Sequence, residues 1–379
     1  MALWQRTIDC GAPRPEHDGQ EVVVNGWAQS VRDHGGVTFI DLRDRTGIVQ
    51  VVVDPTRSTG SDAAHEEARK VRSEFCLSVR GRLVRRLAGA ENPNLPTGDV
   101  EIEAADLTIL NPCRTLPFPL DQDVTVGEEL RLKYRYLDLR RQVMFEKLRL
   151  RHEAIRRIRT FMYDRGFIEV ETPVMTKSTP EGARDYLVPY RLQPGLFYAL
   201  PQAPQQFKQL LMVGGLERYF QIAKCFRDEA QRADRQPEFT QLDLEMSFVE
   251  QEDVLRLVED LTVDVVEALS SKTLVKPFLR LSYDEAMARY GSDKPDVRFG
   301  LELIDCGPHL QGTEFAVFRG VLEAGGQVKA VRYPGGASLA RSQMDELVAL
   351  SKEFGAKGMA YFLVDEAGNA SRGPVAKFL

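Results

Sequence analysis

The segment from Phe239 to Phe248 constrains the fold more than any other, because its polar and apolar residues alternate with a period of two. The two faces of the alternation are Phe239, Gln241, Asp243 and Glu245 against Leu242, Leu244, Met246 and Phe248. This pattern predicts a half-buried antiparallel strand whose polar face borders a wet space. An apolar strand ending at Arg227 and a charged loop precede it, so the two strands are expected to form a hairpin.

Arg227 stands at the rim of that predicted hairpin, directly before two carboxylates, Asp228 and Glu229. A guanidinium can hold an anion through two parallel hydrogen bonds. The hairpin therefore suits a substrate that carries phosphate, carboxylate and ammonium groups together. An ordinary hairpin with solvated charges explains the same residues equally well.

Bulk properties exclude several classes of protein. A chain of 379 residues is too long for one compact core, so two or three domains are expected. Its composition, 43% hydrophobic and 28% charged, is typical of a soluble globular protein. No apolar run approaches the roughly 20 residues of a membrane helix, and the first ten residues lack a signal-peptide core. Five scattered cysteines form no CxxC pair, which predicts reduced thiols in a cytoplasm rather than a zinc site or disulfides.

Positive charge is concentrated in one segment, although the net charge of −6 argues against nonspecific binding of polyanions. Between Arg131 and Arg159 there are eleven Lys or Arg residues against three acids. This basic belt could follow an RNA backbone, with strong salt dependence. It is equally the expected outer face of an amphipathic helix, whose apolar stripe would comprise Leu148, Ile155, Ile158 and Met162.

Residues 1–110 predict a small five-stranded β-barrel of the OB type with one helical insert. The expected elements are strands at Glu21–Trp27, Val37–Leu42, Gly47–Val53, Cys76–Arg82 and Asp99–Ala104, and a helix near Ala63–Val71. Alternation places Phe39 on the same face as Asp41 and Arg43. An aromatic ring on a charged face could stack an unpaired base, or it could simply cover the barrel mouth.

The rest of the chain divides into three regions. Residues 111–130 contain three prolines and no periodicity, which predicts a hinge. Residues 131–296 alternate helices and strands, as an α+β core does. Residues 297–379 predict a further, partial α+β domain, with strands at Phe315–Arg319, Val328–Arg332 and Met359–Val364 and a helix at Ser342–Phe354.

Four stretches together resemble the class II aminoacyl-tRNA synthetases, and among them the bacterial-type aspartyl enzymes. The hairpin, Phe226–Glu229 with 235–239, is similar to motif 2, and Phe167–Pro173 is similar to the dimer-forming motif 1. Ser178–Tyr186 resembles the loop that closes over the amino acid, and Leu200–Leu210 is an aspartyl-type string. The resemblance covers the whole chain in order.

This resemblance implies an aspartate–tRNA ligase: a multidomain homodimer with an OB-fold barrel and an α+β class II core built on an antiparallel sheet. Such an enzyme uses ATP and Mg²⁺ to convert L-aspartate into aspartyl-adenylate and then charges tRNA(Asp). By resemblance, Arg227 is the catalytic group that bridges the attacking carboxylate and the α-phosphate. Aspartate binding is implied for Glu181, Gln205, Lys208, Arg227 and Asp243, and ATP binding for Arg227, Asp228, Glu229 and Gln236.

The resemblance also gives the barrel a role in reading the tRNA anticodon. The implied contacts are Arg32, Phe39, Gln50 and Glu101. His34 occupies a position where enzymes strict for their own tRNA carry leucine, so the resemblance implies charging of tRNA(Asn) as well. A histidine in a loop also fits an ordinary polar surface.

One part of the family pattern has no counterpart in this sequence. Nothing matches motif 3, since Gly214–Arg218 precedes motif 2 and lacks the glycine pattern. The acidic metal ligand and the arginine for the aspartate side chain are expected beyond Leu379, so no metal site is expected within the chain. Residues 297–379 resemble part of the inserted, GAD-like domain. We therefore expect a truncated enzyme, inactive alone. The alternatives are a noncatalytic RNA-binding or regulatory protein, and an asparagine–tRNA ligase, which Lys208 disfavours.

Overall fold

The computed structural model describes residues 5–56, 62–120, 125–179 and 181–378. Two compact units divide the chain, Met1–Lys272 and Thr273–Leu379. We call residues 178–186, the loop predicted to close over the amino acid, the closing loop. Two predicted regions extend outside the described residues: Pro180 of the closing loop, and residues 121–124 of the hinge. Among the described residues, no helix combines the length and apolar character that crossing a membrane requires.

The first unit begins with the predicted barrel, which is confirmed. Its elements are β1 Glu21–His34, β2 Val37–Arg43, β3 Ile48–Val53, α1 Asp62–Lys70, β4 Cys76–Arg85 and β5 Val100–Asn111. The strands pair in the order β1-β2-β3-β5-β4, and β4 pairs back with β1, so the barrel closes. All these pairings are antiparallel except β3 with β5, which makes the sheet mixed.

Alternation of side chains fills the barrel and leaves polar residues outside. In β2, Ile40 and Leu42 are fully buried, whereas Phe39 and Asp41 lie on the outer face, as predicted. Closure also requires a close approach of two strands. A Cβ at Gly81 of β4 would lie 2.2 Å from the main-chain oxygen of Glu103 in β5, so only glycine fits there.

A buried carboxylate organises the turn that joins β2 to β3. Asp44 accepts hydrogen bonds from the main-chain nitrogens of Thr46 (2.7 Å) and Cys10 (2.8 Å). Arg6 Nη1 donates to the same carboxylate over 3.1 Å. Burial by itself would raise the pKa of Asp44, but the hydrogen bonds from Thr46 and Cys10 and the charge of Arg6 outweigh it and lower that pKa.

The remainder of the first unit is an α+β core. Its elements are α2 Glu128–Lys133, α3 Arg135–Asp138, α4 Gln142–Tyr163, β6 Ile168–Glu169, β7 Leu187–Pro189, β8 Phe197–Ala199, α5 Gln205–Val213, β9 Arg218–Phe226, β10 Glu238–Met246 and α6 Gln251–Leu269. One sheet has the order β10-β9-β6, with β9 and β10 antiparallel and β6 parallel to β9. Strands β7 and β8 form a separate antiparallel hairpin.

Helices α4 and α6 pack together over this sheet around Phe161, Met162, Phe220 and Leu261. Ile158 joins that cluster, as the predicted stripe of α4 requires. The prediction is wrong for Leu148, which is half exposed and is not among the α4 residues in that cluster, Ile158, Phe161 and Met162.

The predicted hinge at 111–130 is partly packed where the structure describes it. Phe118 and Leu120 are buried in a cluster with Leu137 of α3. Just after α3, Arg140 lies over the Trp27 ring of the barrel, with its guanidinium carbon 4.8 Å from the ring centroid. The barrel and the core are therefore joined by side-chain contacts as well as by the chain.

The second unit contains α7 Tyr283–Tyr290, β11 Leu303–Asp305, α8 Ala316–Glu323, β12 Lys329–Val331, α9 Arg341–Glu353, β13 Leu363–Val364 and β14 Ala370–Arg372. Strands β11 and β12 form one antiparallel pair, and β13 and β14 another. The boundary predicted between residues 296 and 297 stays a prediction, while the second compact unit begins at Thr273.

One element of this unit was predicted wrongly. Phe315–Arg319 is not a strand, because helix α8 begins at Ala316. Phe315 and Phe318 stack edge to face across one helical turn, with ring centroids 4.7 Å apart. A short apolar run fits a strand and a buried helix turn equally well, and here the spacing of three residues decides. The strands predicted at Val328–Arg332 and Met359–Val364 are present but shorter, and the helix predicted at Ser342–Phe354 is α9.

Candidate active site

The hairpin of β9 and β10 forms the floor of the candidate site. Nine residue pairs hold it in register, from Glu238 opposite Phe226 to Met246 opposite Arg218. The predicted apolar face is confirmed for Leu242, Leu244 and Met246, which pack against the cluster that α4 and α6 form on this sheet. The prediction is wrong for Phe248, which is 94% exposed, because the strand ends at Met246 and the chain turns there with a φ of +59°.

Arg227 follows β9 and lines a cavity of about 440 Å³. Its guanidinium carbon lies 5.0 Å from the centroid of the Phe239 ring, and its Nε donates to the main-chain oxygen of Gln202 over 3.3 Å. Glu229 and Gln236 line the same cavity. The structure thus brings together three of the four residues predicted on the ATP side.

Asp228, the fourth of these residues, is exposed and is not among the residues that line the cavity. Its main-chain nitrogen donates to the main-chain oxygen of Arg184 over 3.1 Å. Through this bond, the closing loop pairs with the chain directly after Arg227.

Lys208 belongs to helix α5 but is not the solvent-facing lysine that a short helix would ordinarily carry, since only 9% of it is exposed. Its Nζ lies 2.8 Å from Asp243 Oδ1 and 3.3 Å from Glu245 Oε2, and it donates to the Leu244 main-chain oxygen over 3.3 Å. Asp243 is equally buried, and its Oδ2 has no hydrogen-bond partner among the described residues. The pair therefore keeps one acceptor available for a further cation.

Three charged residues of the site act on the pKa of the Cys225 thiol. Burial raises the pKa of the Cys225 thiol to about 11; the charges of Asp243 and Glu181 also raise it, while that of Arg227 lowers it. All three charged groups therefore lie close enough to act on the same buried thiol. They come from β10, the closing loop and the residue after β9, respectively.

The two other residues predicted to bind aspartate occupy the edges of this group. Glu181 is half-buried in the closing loop, where its Oε1 accepts a hydrogen bond from Thr179 Oγ1 over 3.2 Å. Gln205 is the first residue of α5, one turn before Lys208. Helix α5 packs against both β9 and β10, so it presents Gln205 and Lys208 from the same element.

Sequence reasoning missed Gln202 and Tyr219. Gln202 is 1% exposed and its amide group bonds to the closing loop. The Tyr219 hydroxyl donates to Gln221 Oε1 over 2.9 Å, and burial together with the nearby Asp243 charge raises its pKa. Gln202 lies within the aspartyl-type string and Tyr219 lies outside the four resembling stretches, and only the structure shows that both are buried.

Three of the four predicted anticodon residues form one chain of hydrogen bonds on the barrel. Arg32 Nη2 donates to Gln50 Oε1 over 3.4 Å, and Gln50 Nε2 donates to Glu101 Oε2 over 2.9 Å. Arg32 also pairs with Asp41, at 3.1 Å, which sequence reasoning did not include. The fourth residue, Phe39, is half-buried directly opposite Arg32 in the β1–β2 register.

His34 is exposed at the end of β1. The two-residue turn that follows, Gly35 and Gly36, has φ angles of +62° and +91°, which only glycine adopts readily. The imidazole therefore stands at the tip of the hairpin that also carries Arg32 and Phe39.

The basic belt is largely paired within the chain. Asp138, which is fully buried, contacts three of its arginines, Arg131, Arg135 and Arg141. Along α4 the pairs are Arg149 with Glu146, Arg156 with Glu153, Arg157 with Asp264 and Arg159 with Glu169. These pairs support the amphipathic-helix interpretation and reduce the charge that the belt offers to an RNA backbone.

Family comparisons agree with this geometry. Residues 22–110 match the OB-fold nucleic acid binding domain, and residues 127–365 match the class II tRNA synthetases of the D, K and N group. The second match spans more than half of the chain. The chain belongs to the class II tRNA synthetases.

Individual relatives of this synthetase chain are bacterial. It is 56% identical over 375 residues to a protein of Symbiobacterium thermophilum named Aspartate--tRNA(Asp/Asn) ligase, covering 99% of this chain and 63% of that protein. A Geobacillus kaustophilus protein named Aspartate--tRNA ligase is 53% identical over 375 residues, with the same coverage. The chain thus spans about 63% of the length of these relatives.

Solved synthetase structures share the fold. Asparaginyl-tRNA synthetase from Pyrococcus horikoshii, complexed with asparaginyl-adenylate, matches with a TM-score of 0.60 and 25% identity, over 70% of this chain and 58% of that one. Aspartyl-tRNA synthetase from Entamoeba histolytica matches with a TM-score of 0.59 over 72% of this chain and 60% of that one. At 22% identity, the second match speaks for the fold alone.

Proposed function

We propose that the protein is an aspartate–tRNA ligase that forms aspartyl-adenylate from L-aspartate and ATP and transfers the aspartyl group to tRNA. The observation that carries the proposal is the buried pair that Lys208 of α5 forms with Asp243 of β10, in the hairpin that Arg227 follows at the end of β9. A cation and an anion held side by side complement the side-chain carboxylate and the ammonium group of aspartate. The names of the relatives support the same substrate.

In the first step, a carboxylate oxygen of aspartate attacks the α-phosphorus of ATP, and the bond to the bridging oxygen of pyrophosphate breaks. No protein nucleophile takes part, so the protein must align the reactants and stabilise charge on the phosphoryl oxygens. Arg227 is the group for this task, because a guanidinium can donate to the attacking carboxylate and to the α-phosphate together. In the second step, the terminal ribose hydroxyl of tRNA attacks the aspartyl carbonyl and AMP leaves.

Selection of the amino acid is assigned to the buried cluster. Lys208 faces the side-chain carboxylate, since the neutral amide of asparagine cannot replace that charge. The unpartnered Oδ2 of Asp243 accepts from the ammonium group, with Glu181 and Gln205 completing its surroundings.

ATP is assigned to the cavity beside Arg227. Glu229, Gln236 and Asp228 are its proposed polar contacts, and Phe239 offers an aromatic wall to the base. Within the described part of the chain, no group of three or more His, Cys, Asp or Glu residues is arranged to hold a metal ion. Mg²⁺ is therefore proposed to arrive on the ATP phosphates, where it would neutralise the charge of the leaving pyrophosphate.

Recognition of tRNA is assigned to the outer face of the barrel. Arg32, Gln50 and Glu101 offer linked donors and acceptors for base edges, and Phe39 offers a stacking surface. His34 at the hairpin tip supports charging of both tRNA(Asp) and tRNA(Asn), as does the Asp/Asn name of the Symbiobacterium relative. Free cysteines at all five positions support a cytoplasmic location, and the motif 1 segment supports a homodimer.

The test is ATP–pyrophosphate exchange by the complete product of the gene, with aspartate and asparagine compared, followed by charging of both tRNAs. We expect exchange with aspartate alone and charging of both tRNAs, with His34→Leu losing charging of tRNA(Asn) only. Exchange with asparagine alone would favour an asparagine–tRNA ligase, the function named for the Pyrococcus structure. Anticodon binding without any exchange would favour a noncatalytic RNA-binding protein.

A further inference from the structure

We propose that Gln202 is a positioning residue with two tasks. Its side chain holds the closing loop over the amino acid, and its main chain holds the Arg227 guanidinium in the orientation that contacts the substrate. This inference rests on the proposed function, because it gives the loop and Arg227 their tasks. Gln202 precedes α5 and does not line the cavity. Its action must therefore pass through the groups to which it is bonded.

The side-chain amide of Gln202 is bonded entirely to the closing loop. Its Oε1 accepts from the main-chain nitrogen of Ala183 over 3.0 Å, and its Nε2 donates to the main-chain oxygen of the same residue over 2.9 Å. The Nε2 also donates to Asp185 Oδ1 over 2.5 Å. Asp185 also accepts a hydrogen bond from Ser178 Oγ. The carboxylate that Gln202 contacts therefore also links two residues of the closing loop to each other.

The main chain of the same residue is bonded to Arg227. The Gln202 oxygen accepts from Arg227 Nε over 3.3 Å, and the preceding Pro201 oxygen accepts from the main-chain nitrogen of Phe226 over 2.9 Å. A third link runs directly between loop and rim, from the nitrogen of Asp228 to the oxygen of Arg184. One residue thus joins the loop that covers the amino acid to the guanidinium that would contact its carboxylate.

Burial makes the hydrogen bonds between Gln202 and the loop costly to lose. With the loop in place Gln202 is 1% exposed, so a substitution that removes its hydrogen bonds leaves polar groups of the loop buried without partners. The neighbouring loop residue Gly182 has a φ of +94° and open space around its missing Cβ, so the loop has a pivot beside its fastening point. We therefore expect the loop to open at Gly182 and to close when Gln202 engages Ala183 and Asp185.

Gln202→Glu tests this with almost no change of shape. The new carboxylate would still accept from Ala183, but it would oppose two acceptors, the Ala183 oxygen and the ionised Asp185. Two carboxylates in contact raise the pKa of one of them, so a proton taken up at lower pH would restore a donor. Arg227 is bonded to the main-chain oxygen of the same residue. Gln206→Glu is the matched control, because Gln206 is exposed on α5.

The first measurement is hydrogen exchange of the loop amides around Ala183, without substrates, from pH 5 to pH 8. We expect exchange in Gln202→Glu to be faster by about tenfold or more at pH 8, after correction for intrinsic rates, and close to the unmodified protein at pH 5. Asp185→Asn in the same chain supplies a donor and should recover part of the protection. Unchanged exchange in Gln202→Glu, or no dependence on pH, would overturn the proposal.

The second measurement is the kinetics of pyrophosphate exchange by the complete gene product. With Gln202→Glu we expect the KM for aspartate to rise about tenfold or more and kcat to fall, while the KM for ATP stays within about threefold. Gln206→Glu should leave all three unchanged. A loosened loop with unchanged kinetics would reduce Gln202 to a structural contact and overturn the coupling. Failure of the proposed function would be visible separately, as absent exchange in the unmodified protein.

Discussion

Replacing Lys208 by methionine should destabilise the site as well as abolish aspartate selection. Lys208 Nζ is the partner of Asp243 Oδ1 at 2.8 Å, and Asp243 Oδ2 has none among the described residues. Methionine preserves most of the buried apolar stem but removes the charge. Glu245 is more exposed and can be solvated by water after the substitution. The loss of stability therefore comes mainly from Asp243, whose buried carboxylate loses its partner.

The size of the penalty follows from the burial of the pair. Removing one partner of a buried ion pair costs about 3–5 kcal/mol. We therefore expect the free energy of unfolding to fall by about 3–5 kcal/mol at pH 7.

Native-state hydrogen exchange of α5 and β10 measures this loss. Lys224→Met is the matched control, because Lys224 pairs with Glu238 at 3.2 Å in an exposed position, where a pair contributes less than about 1 kcal/mol. Lys208→Met combined with Asp243→Asn should recover most of the stability, since it removes the buried charge. A loss below about 1 kcal/mol in the single variant would refute the reasoning. So would a double variant that is no more stable than Lys208→Met alone.

Three further predictions concern other charged and reactive groups. The pKa of Asp44 is lowered in the folded barrel, so the stability that its carboxylate contributes is fully present above the ordinary pKa of 3.8. That stability is lost as the pH falls through the folded pKa. In urea unfolding, the free energy of unfolding of Asp44→Asn should therefore fall less steeply at acid pH than that of the unmodified protein. Because the pKa of Cys225 is raised to about 11, iodoacetamide at pH 8 should modify it at least about 100-fold more slowly than Cys113, and comparable rates by mass spectrometry would contradict its burial. Arg140→Ala removes the contact with the Trp27 ring and an ion pair with Glu74 at 3.5 Å. Amide hydrogen exchange around Trp27 should become about tenfold faster. An unchanged rate would show that the barrel does not depend on this contact.

Features set by local periodicity were predictable from the sequence. Short strand-like runs between turns indicated the strands of the barrel, and alternation in β2 indicated the shared outward face of Phe39 and Asp41, as it did for β10. It also gave the packing of Leu242, Leu244 and Met246, since a strand has only two faces. It failed where an element ended or where its neighbour was unknown. Phe248 lies beyond the strand end, and Leu148 lies outside the cluster that joins α4 to the sheet.

The candidate site was predictable where family motifs carried the information. The structure places Arg227, Glu229 and Gln236 around one cavity, and it pairs Lys208 with Asp243 although they are 35 positions apart. The role of Gln202 could not be found in this way, because its side chain acts on main-chain atoms of a distant loop. Main-chain groups are the same at every position, so a partner that bonds to them leaves no mark on the sequence there.

The most direct test of the account is a crystal structure of the complete gene product with a sulfamoyl analogue of aspartyl-adenylate, which cannot transfer its acyl group. The account predicts that the Arg227 guanidinium donates to the sulfamoyl oxygens and the aspartyl carbonyl, at about 2.7–3.1 Å. It also predicts Lys208 against the side-chain carboxylate and Asp243 Oδ2 against the ammonium group. An analogue bound with Arg227 turned away from it, or with its side chain remote from Lys208, would contradict the account.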